Sequence, residues 1–195
     1  MMALGESAGE TLQGRARVLG DDVNTDYIIS SSRKKNSVDP DVLRHYLFED
    51  LDPSFAASVR DGDILVAGQN FGCGSAMEVA VTTVLGAGIK AVVARSFART
   101  YWRNAINNGL LLVTGDARDL RESESLRIRM TRDRAWLEVG DGQRRIECEA
   151  VPEIVHLLRR EGGLIPYLKR HRRLPGFDDD AQRADAAARA GGAPT

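Results

Sequence analysis

The feature that most constrains this chain is a glycine-rich turn that directly follows a short apolar run. The run Ile64–Ala67 has the length and composition of a buried strand, and it leads through glycines to Ser75. A strand that passes through such a turn into a helix aims free backbone N–H groups at an anion. We therefore predict an anion-binding turn at residues 72–75 and a helix over residues 76–85, with Ser75 at its N-terminus. The same pattern also occurs in strand-to-helix turns that are only structural. The segments around the turn are therefore needed to distinguish the two possibilities.

The order of the apolar segments predicts an α/β fold. Apolar runs at residues 64–67, 89–94 and 110–113 are separated by helix-like stretches, which predicts parallel strands joined by helical crossovers. After residue 126 apolar and polar residues alternate between turn residues, which predicts an antiparallel hairpin region. We expect a central, mostly parallel sheet flanked by helices, with the hairpin region added to it.

One domain is predicted, over residues 14–174. A chain of 195 residues is long enough for one domain with a proper core. Residues 1–13 have no apolar period, which predicts a flexible lead, and residues 175–195 are rich in alanine, aspartate and arginine, which predicts disorder. The stretch 30–37 has no apolar residue and is expected to be an exposed loop.

Charge and hydropathy exclude several classes of function. The formal net charge of -1 argues against a general affinity for nucleic acid or an anionic membrane, because both require a basic excess. No apolar run is long enough to cross a bilayer, and the first residues lack the basic and apolar regions of a secretory signal. We expect a cytoplasmic protein.

The cysteines and histidines limit the metal chemistry of this chain. Cys73 and Cys148 lie far apart, whereas an iron–sulfur cluster takes three or four thiolates at clustered spacing. The three histidines show no metal-ligand spacing. We expect no metal site and no cofactor bound by this chain, so that any cluster is held by another polypeptide. A disulfide between the cysteines stays open, although two reduced thiols fit a cytosolic chain better.

Four motifs occur together in a fixed order. They are residues 20–29 (GDDVNTDYII), 70–75 (NFGCGS), 87–99 (AGIKAVVARSFAR) and 103–110 (RNAINNGL). Together they resemble the small subunit of 3-isopropylmalate dehydratase, a family that is similar to the swivelling domain of aconitase. The resemblance covers about residues 14–170 and implies a single swivelling domain with β, β and α layers.

The resemblance also implies an activity. Enzymes of this family are hydro-lyases of leucine biosynthesis and related routes, which remove water from a hydroxy acid and add it back. The resemblance implies a large-subunit partner that carries a four-iron four-sulfur cluster, a small carboxylate substrate, and activity only in the complex of both subunits. The first serine of the family's Gly-x-Gly-Ser-Ser-Arg-Glu turn falls on Ser75, which is thereby identified as the catalytic base.

The expected substrate-binding groups surround Ser75. They are Gly72, Cys73, Gly74, Ala76, Met77, Arg33, Lys34, Lys35 and Arg99. Structural support of the turn is expected from Asn24, Asp26, Glu78 and Asn104. The cations at residues 33–35 have no local salt-bridge partner in the sequence, which leaves their charge available to a carboxylate; the same run also fits a solvated loop.

Because of two departures from the family pattern, the sequence does not determine the substrate or whether the protein catalyses the reaction. The family's second serine is Ala76 here, and its carboxylate-binding arginine is Met77. These changes indicate an apolar group on the substrate, compensation by another cation, or lost turnover. The cations at residues 33–35 stand where isopropylmalate enzymes carry an apolar pair, which argues against a plain isopropyl pocket.

The leading prediction is a hydro-lyase subunit that acts on a substituted malate. The alternative is a non-catalytic anion-binding or regulatory paralogue, which Ala76 and Met77 favour and which the intact Ser75 and Glu78 oppose.

Overall fold

The fold is built on one seven-stranded sheet. A computed structural model describes residues 9–75 and 77–175. The strands are β1 (Glu10–Val18), β2 (Ile64–Ala67), β3 (Ala91–Ala94), β4 (Leu111–Thr114), β5 (Ser125–Met130), β6 (Ala135–Val139) and β7 (Arg144–Cys148). They lie in the order β4-β3-β2-β1-β5-β6-β7. Strands β1 to β4 pair in parallel, whereas β1 pairs with β5, β5 with β6 and β6 with β7 in antiparallel fashion.

Helices cover both faces of the parallel half. They are α1 (Thr25–Ile28), α2 (Ser31–Asn36), α3 (Pro40–Leu43), α4 (Phe55–Ser58), α5 (Glu78–Gly86), α6 (Arg99–Asn107), α7 (Glu153–Glu161) and α8 (Leu164–His171), with a 3-10 turn at Arg44–Tyr46. Alternate residues of β2 enter two different core clusters: Ile64 packs with α7, whereas Leu65 packs with α5. Burial of both faces explains why β2, β3 and β4 are continuous apolar runs rather than alternating ones.

The sheet curls until its two outer strands meet at one end. An antiparallel bridge joins Gly115, just after β4, to Cys148 at the end of β7, and Glu149 N donates to Thr114 O at 2.8 Å. A Cβ on Gly115 would lie 2.6 Å from Cys148 Sγ, so only glycine fits this seam without movement. The prediction of an α/β fold with parallel strands, flanking helices and an antiparallel hairpin region is confirmed.

Three details of the sequence-based prediction were wrong. Residues 10–13, assigned to the flexible lead, belong to β1, because they pair with β5 more than 100 residues further along the chain. The expected loop at residues 30–37 contains α2, and α5 begins at Glu78 rather than at residue 76. Residues 1–8 and 176–195, from the expected lead and tail, lie outside the described residues. Within the described ranges, every helix is too short or too polar to cross a membrane.

Candidate functional site

Three loops meet at the carboxyl ends of the parallel strands. The loop after β2 is held to the loop after β1 by Gly72 N, which donates to Val23 O at 2.8 Å. It is held to the loop after β3 on its other side, where Phe71 N donates to Ser96 O at 3.0 Å. Because parallel strands end at the same edge, the topology alone brings these three segments together.

The glycines of the turn are required by the chain that packs against them. Gly72 has φ +79°, and a Cβ there would lie 2.2 Å from the ring of Tyr101, a buried residue of α6. Gly74 has φ +93°, and a Cβ there would lie 2.3 Å from Asn24 Oδ1. The N–H of Gly72 is bonded within the protein, so this part of the predicted anion cradle is not available to a ligand.

Ser75 is exposed at the end of this turn, three residues before α5 begins. Its carbonyl oxygen accepts hydrogen bonds from Thr25 Oγ1 at 3.0 Å and from Met77 N at 2.8 Å. Its hydroxyl makes no hydrogen bond to another described residue. Ser75 does not stand at the N-terminus of α5 as predicted, because the N-cap position is Met77, whose side chain makes no capping bond. The buried Thr25 was missed by the sequence analysis, although it lies within the motif at residues 20–29.

Asn24 and Asp26 organise the neighbouring helices α1 and α2. Asn24 Oδ1 caps α1 by accepting a hydrogen bond from Asp26 N at 2.9 Å. Asp26 Oδ1 accepts hydrogen bonds from Lys34 Nζ at 2.7 Å and from Ser31 Oγ at 3.1 Å. The hydrogen bond from Lys34 lowers the pKa of the Asp26 carboxyl below its ordinary value. The two residues therefore connect the turn at Gly74 to α2.

Two of the three cations expected to be free are paired. Arg33 donates to Glu49 through Nε and Nη2 at 2.8 and 2.9 Å, and its guanidinium stacks over the ring of Tyr46. The hydrogen bonds between Arg33 and Glu49 raise the pKa of Arg33 and lower the pKa of Glu49. Lys34 binds Asp26. The prediction of unpaired charge was wrong for these two residues because their partners lie outside the cationic run, Glu49 16 residues from Arg33 and Asp26 8 residues from Lys34. Lys35 is exposed and has no ion pair with a described residue.

An open groove lies between α2 and α5, next to the turn. It has a volume of about 400 Å³ and is lined by Lys34, Val38, Met77, Glu78, Val79 and Thr82. Met77, one of the lining residues, follows Ser75 by two positions in the chain, and its N–H donates to Ser75 O at 2.8 Å. Helix α5 supplies one wall, and α2 with the segment that follows it supplies the other.

Helix α6 borders the site on its other side. Arg99 begins this helix, is exposed, and has no ion pair with a described residue. Asn108 Nδ2 donates to Glu78 Oε1 at 3.0 Å and to Asn104 O at 2.9 Å, which fastens the start of α5 to the end of α6. Asn108 lies in the motif at residues 103–110, but its role was not predicted from the sequence.

The thiols are poorly suited to metal binding. Cys73 Sγ donates to Asp22 O at 3.4 Å, and desolvation together with the charge of Asp22 raises the pKa of Cys73. Burial raises the pKa of Cys148 to about 11, and both cysteines are free. Among residues 9–75 and 77–175, no three histidine, cysteine or acidic side chains converge as a metal site.

At the carboxyl ends of the parallel strands, the site combines the exposed Ser75, the backbone of Gly72 and Gly74, and the open groove between α2 and α5. A serine hydroxyl acts as a base only when neighbouring groups stabilise its anion. In the part of the chain that the structure describes, no charged side chain hydrogen-bonds Ser75 Oγ.

Comparison with known proteins gives a consistent result. A family model described as the aconitase C-terminal domain matches residues 33–117. The methanogen homoaconitase small subunit of Methanocaldococcus jannaschii is 37% identical over 161 residues, which are 83% of this chain and 93% of that protein. The 3-isopropylmalate dehydratase small subunit 2 of Methanopyrus kandleri is 43% identical over 166 residues, which are 85% of this chain and 98% of that protein.

A solved structure agrees with these relatives. The crystal structure of 3-isopropylmalate dehydratase from Methanocaldococcus jannaschii matches with a TM-score of 0.77 at 36% identity. The match covers 84% of this chain and 96% of that chain.

Proposed function

Because this chain belongs to the family of 3-isopropylmalate dehydratase and homoaconitase small subunits, we propose that it is the small subunit of a heteromeric hydro-lyase. The complex removes water from a substituted malate-type hydroxy acid and adds it back. The observation that carries this proposal is the exposed hydroxyl of Ser75, held where three loops meet. The hydro-lyase complex works in the cytoplasm, where the two free thiols stay reduced.

Ser75 is the base that takes the proton from the carbon beside a substrate carboxylate. Its carbonyl is held by Thr25 and Met77, which fixes the residue while its hydroxyl stays accessible. The proton is weakly acidic, so the charge that develops as it leaves must be neutralised within the site. Arg99 and Lys35, which are exposed and have no ion pair with described residues, bind carboxylates of the substrate.

The large subunit completes the site. It holds a four-iron four-sulfur cluster, which supplies Lewis-acid chemistry at the departing hydroxyl when it is bound. The described residues of this chain do not fit such a group, because both thiols have raised pKa values and no third ligand converges on either. This chain contributes the base, the carboxylate-binding side chains and the shape of the substrate pocket.

The test is substitution of Ser75→Ala in the complex with a cluster-bearing large subunit. We expect the kcat for dehydration of 3-isopropylmalate or a related alkylmalate to fall by about 100-fold or more, the usual contribution of a general base. Assembly, measured by co-purification and gel filtration, should be unchanged. Ser125→Ala is the matched control, because Ser125 is an exposed serine on β5 that plays no part in the site.

Two results would contradict the proposal. One is full activity of the Ser75→Ala complex, which would exclude this hydroxyl as the base. The other is turnover by the isolated chain, which would remove the need for a large subunit.

The alternative is a non-catalytic paralogue that binds carboxylates without turnover. The observation in its favour is Met77, an apolar residue at the position of the family's carboxylate-binding arginine. It would be supported if an assembled complex with its cluster intact bound alkylmalates but released no unsaturated product, which is detected by ultraviolet absorbance.

A further inference from the structure

Another cavity opens at the end of β1 that lies away from Ser75. It has a volume of about 380 Å³, which is within the range of small-molecule pockets. Its lining includes Glu10, Arg132, Glu153, His156 and Arg160. Strand β1 has nine residues, begins beside this cavity and ends before the loop that contacts Ser75, a distance of roughly 25–30 Å.

Three of the lining side chains lie on one face of α7. Glu153, His156 and Arg160 are spaced by three and four residues, and side chains at this spacing project from the same side of a helix. The turn between β5 and β6 contributes Arg132, and the start of β1 contributes Glu10. Three distant parts of the chain thus form the cavity, so no local pattern in the sequence predicts it.

The charge of Glu10 is already compensated within the protein. Its Oε1 accepts a hydrogen bond from Arg159 Nη1, and its Oε2 lies 3.0 Å from His156 Nδ1. Since a carboxylate only accepts hydrogen bonds, Nδ1 is the ring nitrogen that carries the proton. Burial, and then the charge of Arg160, lower the pKa of His156, so the imidazole is neutral near pH 7. A neutral imidazole with its proton on Nδ1 presents Nε2 as an acceptor.

This acceptor and three charged side chains of the cavity have no partner among the described residues. Nε2 of His156 is shielded from water and accepts no hydrogen bond. A buried acceptor without a donor is unfavourable, so a ligand N–H that reaches it is stabilising. Glu153, Arg132 and Arg160 are exposed and form no ion pair with a described residue. The cavity therefore combines two acceptors for a cationic donor with two guanidinium groups for an anion.

We infer that this cavity binds a free α-amino acid. The ammonium group of the ligand donates to Glu153 and to Nε2 of His156. Its carboxylate accepts charge-assisted hydrogen bonds from Arg132 and Arg160. A carboxylic acid without an ammonium group would leave both acceptors without a donor, and an amine without a carboxylate would meet two cations. Binding here goes beyond the proposed hydro-lyase activity, and no step of that reaction depends on it.

Three probes that differ in their charged groups test this inference on the full chain near pH 7. L-valine carries both groups, isovalerate lacks the ammonium group, and isobutylamine lacks the carboxylate. A titration followed by NMR chemical shifts measures each Kd and shows where each probe binds. We expect L-valine to shift the signals of residues 130–132 and 153–160. Its Kd should be at least about tenfold lower than that of either other probe, because each of these lacks charge-assisted hydrogen bonds.

Two substitutions distinguish the two halves of the site. Glu153→Gln should raise the Kd of L-valine about tenfold and should not weaken isovalerate, because Glu153 contacts only the ammonium group. Arg160→Gln should weaken both ligands. Arg134→Gln is the matched control, because Arg134 is an exposed arginine of the same turn as Arg132 and does not line the cavity. The substituted side chains are all exposed, so the fold should be retained.

Three results would overturn the inference. The first is equal affinity of the wild type for L-valine and isovalerate, and the second is an unchanged Kd of L-valine in the Glu153→Gln variant. The third is the absence of saturable shifts at the cavity with both L-valine and glycine, the smallest α-amino acid. Each of these results would leave the hydro-lyase proposal intact, because the titration needs neither Ser75 nor a large subunit.

Discussion

Single residues at the glycine-rich turn are fixed by their neighbours. The sequence predicted the turn, because glycines after an apolar run are a local signal, but it placed the start of α5 two residues too early. It did not predict that Tyr101 and Asn24 occupy the space beside Gly72 and Gly74. These contacts join segments that are distant in the chain, and neither is visible in a local pattern.

Gly72→Ala tests this packing. We expect the free energy of unfolding to fall by about 2–4 kcal/mol, because an L residue is strained at φ +79° and its Cβ would meet the ring of Tyr101. Urea denaturation measures the change. Gly20→Ala is the control: no atom lies within 4 Å of a Cβ there, so its effect should stay within about 0.5 kcal/mol. Equal effects of the two substitutions would show that the ring does not confine residue 72.

At the level of elements, α2 shows where prediction from the sequence stops. Its residues have no apolar period, and they were therefore assigned to a loop. The helix is held by tertiary ion pairs instead: Arg33 binds Glu49 and Lys34 binds Asp26. The start of α5 was misplaced for a related reason, because Met77 at its N-cap provides no capping side chain that a pattern would reveal.

The pairing of Glu49 makes a prediction about pH. Its pKa is lowered mainly by the hydrogen bond from Arg33, so the folded state binds a proton less readily than the unfolded state. The stabilisation is complete above the unfolded pKa of about 4.3 and is lost as the pH falls through the lower pKa of the folded state. The free energy of unfolding of Glu49→Gln should therefore lie below that of the wild type near neutral pH, and the gap should close in acid.

Urea denaturation of both proteins between about pH 6 and pH 3 checks this expectation. If the difference in the free energy of unfolding between the two proteins were constant over this range, the ion pair between Glu49 and Arg33 would not stabilise the fold. The comparison between the two proteins cancels the titration of the other acidic groups.

At the scale of the whole molecule, β1 joins a parallel half to an antiparallel half. Both halves were predicted, since buried parallel strands and amphipathic hairpins leave different apolar patterns. The pairing of β1 with β5, which aligns Glu10 with Met130, was not predicted, because no local signal reports a partner so far along the chain. The meeting of β4 and β7 was not predicted for the same reason.

A double-mutant cycle tests the seam between β4 and β7. Gly115→Ala should lower the free energy of unfolding by about 1–3 kcal/mol, because the new Cβ would lie 2.6 Å from Cys148 Sγ. In a Cys148→Ala background the same substitution should cost clearly less, with a coupling of about 1 kcal/mol. Thermal and urea unfolding of the four proteins measure the cycle. Strictly additive effects would contradict direct contact at the seam.

The construction of α2 has an evolutionary consequence. All six residues of this helix are polar, and none belongs to either core cluster. Mutations in it therefore remove no side chain from the core clusters, although Lys34 of this helix lines the groove beside α5. Natural selection can therefore change the exposed residues of this helix that form no ion pair with a described residue, such as Lys35, at little cost to the stability of the fold.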